Sequence, residues 1–176
     1  PEHPRLSIQF GNTEVVDSYR AVIQGCDAVV HAAGVRHAGL IRTFETRNVE
    51  GARILAQAIS ETDIRHVIMV SSLAAHGPSI YGAPHLEAGG EAPCSLYGAS
   101  MLKAEAAFKE SSVADRVTIL RPAMVYGPND TELLPWARLI KRGLIPLRGD
   151  CELSFLHVAD LASLIAQLVE RPPIDG

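Results

Sequence analysis

Cysteine is scarce in this chain, and the little there is forms no pattern. Cys26, Cys94 and Cys151 are widely spaced, with no Cys-x-x-Cys pair among 176 residues. An odd, scattered set offers no disulfide framework and fits a reduced, cytoplasmic setting. An excess of charge of one sign is also missing. The 16 basic and 20 acidic residues leave a net charge of −4, which gives no electrostatic reason to expect nucleic acid or an anionic membrane as partner. No apolar run reaches the length of a membrane span, and no signal-peptide pattern opens the chain. The chain starts at Pro1 rather than Met and stops at Gly176 just after a Pro-Pro pair, so it reads as a piece of a longer protein.

What is present is ordinary globular material. Hydrophobic residues make up 47% and charged residues 20%, enough for one domain with a sizeable core. Apolar runs alternate with helical patterns. Residues 6–10 read as a weak strand and 15–23 as a short helix ended by Gly25. Residues 27–33 form a near-continuous apolar run, expected of a strand buried on both faces. Residues 46–60 predict a helix with Val49, Ala52, Leu55, Ala56 and Ile59 on one stripe. Further strands are expected at 67–71, 117–121 and, weakly, 153–156. Further helices are expected at 97–111, 133–142 and 158–170, with a Gly/Pro/Ser-rich loop across 76–95. Such alternation predicts an α/β domain with a parallel sheet.

Two positions carry chemistry on this frame. Ser71 and Ser72 close the strand at 67–71, and ligands of open parallel sheets bind beyond the carboxyl ends of strands. A hydroxyl there can face a reacting carbonyl, or it can cap loose backbone groups. Tyr97 opens the next helix. A phenol, with an ordinary pKa of about 10, is a poor base unless a nearby cation favours the phenolate. One helical turn is about 3.6 residues, so the residue four places on shares the tyrosine's face. That residue is Met101, which matches lysine in length but brings neither charge nor donors. Lys103 lies roughly 240° around the helix from Tyr97 and points elsewhere.

Several stretches together resemble the NAD-dependent epimerase/dehydratase family, the extended branch of the short-chain dehydrogenases. The stretch Gly-Cys-Asp-Ala-Val-Val-His-Ala-Ala-Gly at 25–34 resembles the family's fourth strand, and Asn-Val-Glu-Gly at 48–51 the following helix. Val-Ser-Ser-Leu-Ala-Ala-His-Gly-Pro at 70–78 resembles the strand bearing the catalytic hydroxyl. Ser-Leu-Tyr-Gly-Ala-Ser at 95–100 resembles the tyrosine helix, and Arg-Pro-Ala-Met-Val-Tyr-Gly-Pro at 121–128 the segment beside the nicotinamide. Phe-Leu-His-Val-Ala-Asp at 155–160 resembles the helix start near the substrate lobe.

The resemblance implies a Rossmann-like, doubly wound parallel sheet lacking its first two strands, in a single partial domain over 1–176 whose substrate lobe starts at about 129. It implies NAD or NADP as cofactor, with Ser72 and Tyr97 catalytic and Met101 in the place of the family's lysine. Asn12, Ala32, Ala33, Gly34, Asn48, Ser71, Tyr97, Arg121, Pro122 and Val125 would line the cofactor. No Gly-x-x-Gly-x-x-Gly or Gly-x-Gly-x-x-Gly phosphate loop occurs. Asn12 stands where the family has an Asp that meets the adenine, and it reads equally well as a turn residue.

A Rossmann sheet runs 3-2-1-4-5-6. With 6–10 as third strand and 28–33 as fourth, the first two would be missing between them. The strand holding Val29 and Val30 then becomes an edge, and the 6–10 segment either floats or collapses onto it.

The function implied is NAD(P)-dependent epimerase, dehydratase or reductase chemistry on a carbinol or keto group, with a nucleotide sugar as substrate. Sterol- or flavonoid-type alcohols and ketones are the alternative. Met101 and the missing phosphate loop favour a third reading, a catalytically impaired remnant acting as a binding or interaction module. The family's homodimers imply pairing through helices 46–60 and 97–111. His31 reads as structural, and His157 and Asp160 as shaping a helix start. His37, His76 and His85 lack metal-ligand spacing, so no metal is expected. Arg148 reads as an exposed loop residue or a holder of a substrate phosphate.

Overall fold

A computed structural model describes residues 5–79, 83–87, 89–131, 133–144, 152–171 and 173. Helix α1, Val16–Ile23, leads into strand β1, Ala28–His31. Helix α2, Ile41–Phe44, runs through a π-helical segment at Glu45–Glu50 into α3, Gly51–Ser60. Strand β2, His66–Val70, ends in a 3-10 turn at Leu73–Ala75. Helix α4, Leu96–Lys109, precedes β3, Val117–Leu120. The chain closes with β4, Met124–Tyr126, α5, Leu134–Lys141, β5, Phe155–His157, and α6, Val158–Val169.

The main sheet has the order β1-β2-β3, all parallel. β2 is central and buried at Val67, Ile68 and Met69. Its side chains alternate between faces, as the pleat requires. Val67 and Met69 join the cluster under α3 and α4, which also holds Leu55, Ile59, Met101, Ala104 and Phe108. Helix α6 packs on β2 as well. Each of these large apolar side chains contributes roughly 1.5–3 kcal/mol through burial, and together they fix where the strand ends lie.

The α/β architecture with a parallel sheet is the one expected, with three differences in detail. Residues 6–10 form no strand. Leu6, Ile8 and Phe10 are exposed, Phe10 almost completely at 98%, because extended chain becomes a strand only beside a neighbour to pair with. The run at 27–33 is not buried on both faces. β1 is the edge strand that the missing first two strands imply, and Val30 stays exposed while His31 is buried. Finally, the short strand expected at 153–156 lies two residues later as β5, and it pairs in parallel with β4, a strand that the sequence pattern does not announce. Tyr126 packs edge-on against Phe155 and His157 across that pair. In the region expected to begin a substrate lobe, α5 buries none of its residues.

Candidate functional site

The carboxyl ends of the parallel strands β1, β2 and β3 lie along one rim of the sheet. Beyond β2, Ser72 caps the 3-10 turn, its Oγ accepting from the Ala74 amide at 3.1 Å. The capping role foreseen for this hydroxyl is realised, and the hydroxyl's own proton is left to donate. Ser95 caps α4 in the same way, accepting from the Gly98 amide at 3.0 Å. The start of α4 then presses on the turn. A β-carbon on Gly98 would lie 2.1 Å from the Ala74 carbonyl oxygen, so only glycine permits this approach. Ser72 and Tyr97 are thereby held on either side of one backbone contact. Tyr97 is half-buried, its ring packed against the core cluster.

The loop after β1 is tied to the same helix. Ala32, Ala33 and Gly34 are exposed at the strand's end. Asn48, buried in the π-helical segment, grips the Val35 peptide from both sides. Its Oδ1 accepts from Val35 N at 2.8 Å, and its Nδ2 donates to Val35 O at 3.0 Å. The same Nδ2 donates to Ser100 Oγ at 2.8 Å, and Ser100 donates to the Tyr97 carbonyl at 2.7 Å. The Asn48 side chain is fully spent in joining the two sides of the rim. Ala33, Gly34 and Val35 share a concave pocket with Thr13 and Arg47. Asn12 lies next to Thr13 in sequence, but its Oδ1 accepts from Glu14 N at 3.0 Å, the turn geometry anticipated for an Asn here.

Ser71 and Arg121 meet at a residue that no sequence motif marks. Glu105, only 1% exposed, accepts from Ser71 Oγ at 2.5 Å and from Arg121 through Nε at 3.0 Å and through a terminal nitrogen at 2.6 Å. Arg121 also donates to Glu91 at 3.0 Å. Hydrogen bonds from Arg121 to Glu105 raise the guanidinium's pKa further. A bond from its own backbone amide, then one from Arg121, hold the Glu91 carboxyl below the usual carboxylate range. A signal for Glu105 was available. It falls four residues after Met101 and three before Phe108, on a stripe that is buried, and a carboxylate on an apolar stripe demands a cationic partner. Beside it, Pro122 O accepts from Leu73 N at 2.9 Å, and Val125 sits half-buried in β4.

Met101 is buried at 6% exposure and belongs to the core cluster. His31 is buried against the edge of Phe108, and desolvation lowers its pKa to about 4. His157 caps α6, its Nδ1 accepting from the Ala159 amide at 3.2 Å. His76 and His85, separate in sequence, bring their ring centres to 3.9 Å, and neither ring nitrogen of His76 has a partner among the described residues. No group of three or more potential metal ligands occurs among the described residues. No described helix is long and apolar enough to cross a membrane. Cys26 and Cys94 are free and exposed. Ile80, Arg148 and Cys151 lie outside the described residues.

Comparison with known proteins covers nearly the whole chain. It is 28% identical over 179 residues to a ceramide reductase of Caulobacter vibrioides, an alignment spanning 98% of this chain and 51% of the relative. It is 27% identical over 182 residues to a UDP-glucose 4-epimerase of Vibrio cholerae, with 95% and 55% covered. The chain thus spans about half the length of these curated relatives. Among solved structures, a dTDP-glucose 4,6-dehydratase of Streptomyces venezuelae with NAD bound superposes with a TM-score of 0.79 at 28% identity, covering 96% of this chain and 56% of that one. The sequence model of one family matches residues 2–174, and by that match the chain belongs to the NAD dependent epimerase/dehydratase family.

Proposed function

We propose that this chain forms the dinucleotide-binding and catalytic part of an NAD(P)-dependent oxidoreductase that epimerises or dehydrates a nucleotide sugar. The observation that carries the reading is the Gly98–Ala74 contact, which brings the start of the helix bearing Tyr97 against the turn that follows Ser72 at the end of a parallel strand. Two features of the rim support a dinucleotide. Small exposed residues at 32–34 leave the end of β1 open, and the pocket beside them has a backbone turn at Thr13 and the Arg47 guanidinium, which pairs with Glu14 at 3.2 Å. Ala32, Ala33 and Gly34 would lie along the cofactor, Asn12 near its adenine end, and Ser71, Tyr97, Arg121, Pro122 and Val125 towards its nicotinamide end. Asn48 and Arg121 serve it through the backbone and side chains they hold, since their own polar groups are engaged.

When bound, the nicotinamide supplies hydride exchange with a carbinol carbon of the substrate. The chain's own part is orientation and proton traffic. Tyr97 takes or returns the hydroxyl proton, and Ser72 donates to the oxygen whose charge changes. The nucleotide-sugar substrate is supported by the relatives named as a UDP-glucose epimerase and a dTDP-glucose dehydratase.

A second reading is reduction of a lipid ketone, favoured by the ceramide reductase match over 98% of the chain. A third, an impaired remnant, is favoured by Met101, which gives the phenol no cation. One experiment separates them. A full-length protein containing this chain is titrated calorimetrically with NAD(H) and NADP(H), then incubated with UDP- and dTDP-sugars or with a micellar keto-sphingoid. Sugar conversion supports the first reading, and NAD(P)H consumption on the lipid alone supports the second. Cofactor binding without turnover on either supports the third, and no cofactor binding at all sinks the first two.

A further inference from the structure

Three elements meet at Glu105, and each bears on the catalytic pair. Ser71 is the residue before Ser72 and closes β2. Arg121 closes β3. Glu105 lies eight residues along α4 from Tyr97, about two turns. The strand end at 71–73 is already fixed to the β3 side by backbone bonds, Ser71 N to Leu120 O at 2.7 Å and Leu73 N to Pro122 O at 2.9 Å. The Ser71 side chain reaches the other way, to Glu105. Helix α4 is therefore attached to this strand end twice, by Gly98 against Ala74 at its first turn and by Glu105 on Ser71 two turns later. One attachment lets a helix pivot or slide, and two fix its tilt and axial position.

We propose that Glu105 is a positioning residue for the Ser72–Tyr97 pair, acting through Ser71 and held in place by Arg121. The claim deepens the oxidoreductase reading and rests on it, but its geometry can be tested apart from turnover. A carboxylate with 1% exposure is retained here at the cost of desolvation. Its acceptor capacity goes to the two strand ends that border the site, with three contacts from the Arg121 fork and one from Ser71. An apolar residue at 105 could fill the space without linking α4 to Ser71. Glu91, the second partner of Arg121, ties the segment after Gly90 to the same cation.

The test uses the full-length protein labelled with 3-fluorotyrosine, with the Tyr97 line assigned by Tyr97→Phe. Ser71→Ala removes the link and leaves the Glu105–Arg121 pair intact. Glu105→Gln keeps the shape and weakens the grip on both partners. Both variants should move the fluorine line of Tyr97 and leave the lines of Tyr19, Tyr81 and Tyr126 in place. Both should lower kcat roughly tenfold, and Glu105→Gln should leave NAD(P)H affinity within about twofold. A Tyr97 line unmoved by Ser71→Ala overturns the proposal, as does an equal loss of cofactor affinity and kcat in Glu105→Gln. If the unmodified protein turns over no substrate, the functional reading fails, and the fluorine line alone then decides the positioning role. Should Glu105→Gln fail to fold, Ser71→Ala decides.

Discussion

Gly98 meets the carbonyl of Ala74 so closely that a single added methyl group would sit 2.1 Å from the oxygen. That approach sets how near the tyrosine helix comes to the serine turn. Gly98→Ala must push α4 away from the turn at Leu73–Ala75, because the obstacle is backbone and cannot rotate aside. Overpacking of this kind costs about 1–3 kcal/mol. Chemical denaturation should show that loss. Gly77→Ala should cost at least as much, since its β-carbon would meet the Ala92 carbonyl at 2.2 Å and its φ is +97°. Wild-type midpoints for both variants would show that the helix and loop have room to relax.

Met101, four residues after Tyr97, places an apolar side chain at 6% exposure in the core cluster. Met101→Lys brings an ammonium to that place, where desolvation opposes it. Without cofactor the variant should be less stable, by about 1–3 kcal/mol on the scale of an unpaired polar group. Bound NAD(P)H should restore more stability to the variant than to the unmodified protein, because ligand binding to the native state adds to stability and a ribose can take up the new donors. Thermal midpoints with and without cofactor measure both. Equal cofactor-induced shifts in the two proteins would show that the side chain at 101 never reaches the cofactor.

His31 gives a pH dependence with a definite sign. Its pKa falls from 6.5 to about 4 because burial disfavours the charged ring. Between those values the unfolded chain binds the proton and the folded chain does not, so stability rises with pH across that window. The contribution is fully present above pH 6.5 and is lost as the pH falls towards 4. On the scale of 1.36 kcal/mol per unit it amounts to about 3 kcal/mol. Denaturation from about pH 7 to about pH 4 should show a decline that is smaller in His31→Leu by about that amount. An identical decline in both proteins would remove His31 as the cause.

The fold was legible where one strand or helix decides its own burial. The run at 67–71 is apolar throughout, and β2 is the sheet's buried centre. The stripe through Leu55, Ala56 and Ile59 named the buried face of α3. The segment at 6–10 shows the limit. Its alternation of Leu6, Ile8 and Phe10 is a strand pattern, yet a strand also needs a neighbour, and sequence pattern says nothing about whether one is beside it. β4 and β5 are short and define each other, so β5 stood out only weakly and β4 did not. At the site, the cap at Ser72 and the helix start at Tyr97 were legible because each is a local feature of the chain. What Asn48 and Arg121 do was not, because it depends on partners 52 and 16 residues away.

The Arg121–Glu105 pair should be costly to break and much less costly to replace. Glu105 is almost wholly buried, and Arg121 is only 16% exposed. Glu105→Leu alone leaves a largely desolvated guanidinium facing an apolar side chain, with only Glu91 at the loop to meet it. Arg121→Met alone leaves a buried carboxylate with Ser71 as its donor. Either single change should cost about 3–5 kcal/mol, the usual penalty for stranding one member of a buried pair. The double variant removes both charges together and should recover most of that loss, leaving chiefly the Ser71 hydroxyl without its acceptor, a penalty of about 1–3 kcal/mol. A denaturation cycle over the four proteins therefore should show strong coupling of the two positions. Additive single losses would mean that the two side chains act independently, and that Arg121 is free to serve a ligand instead.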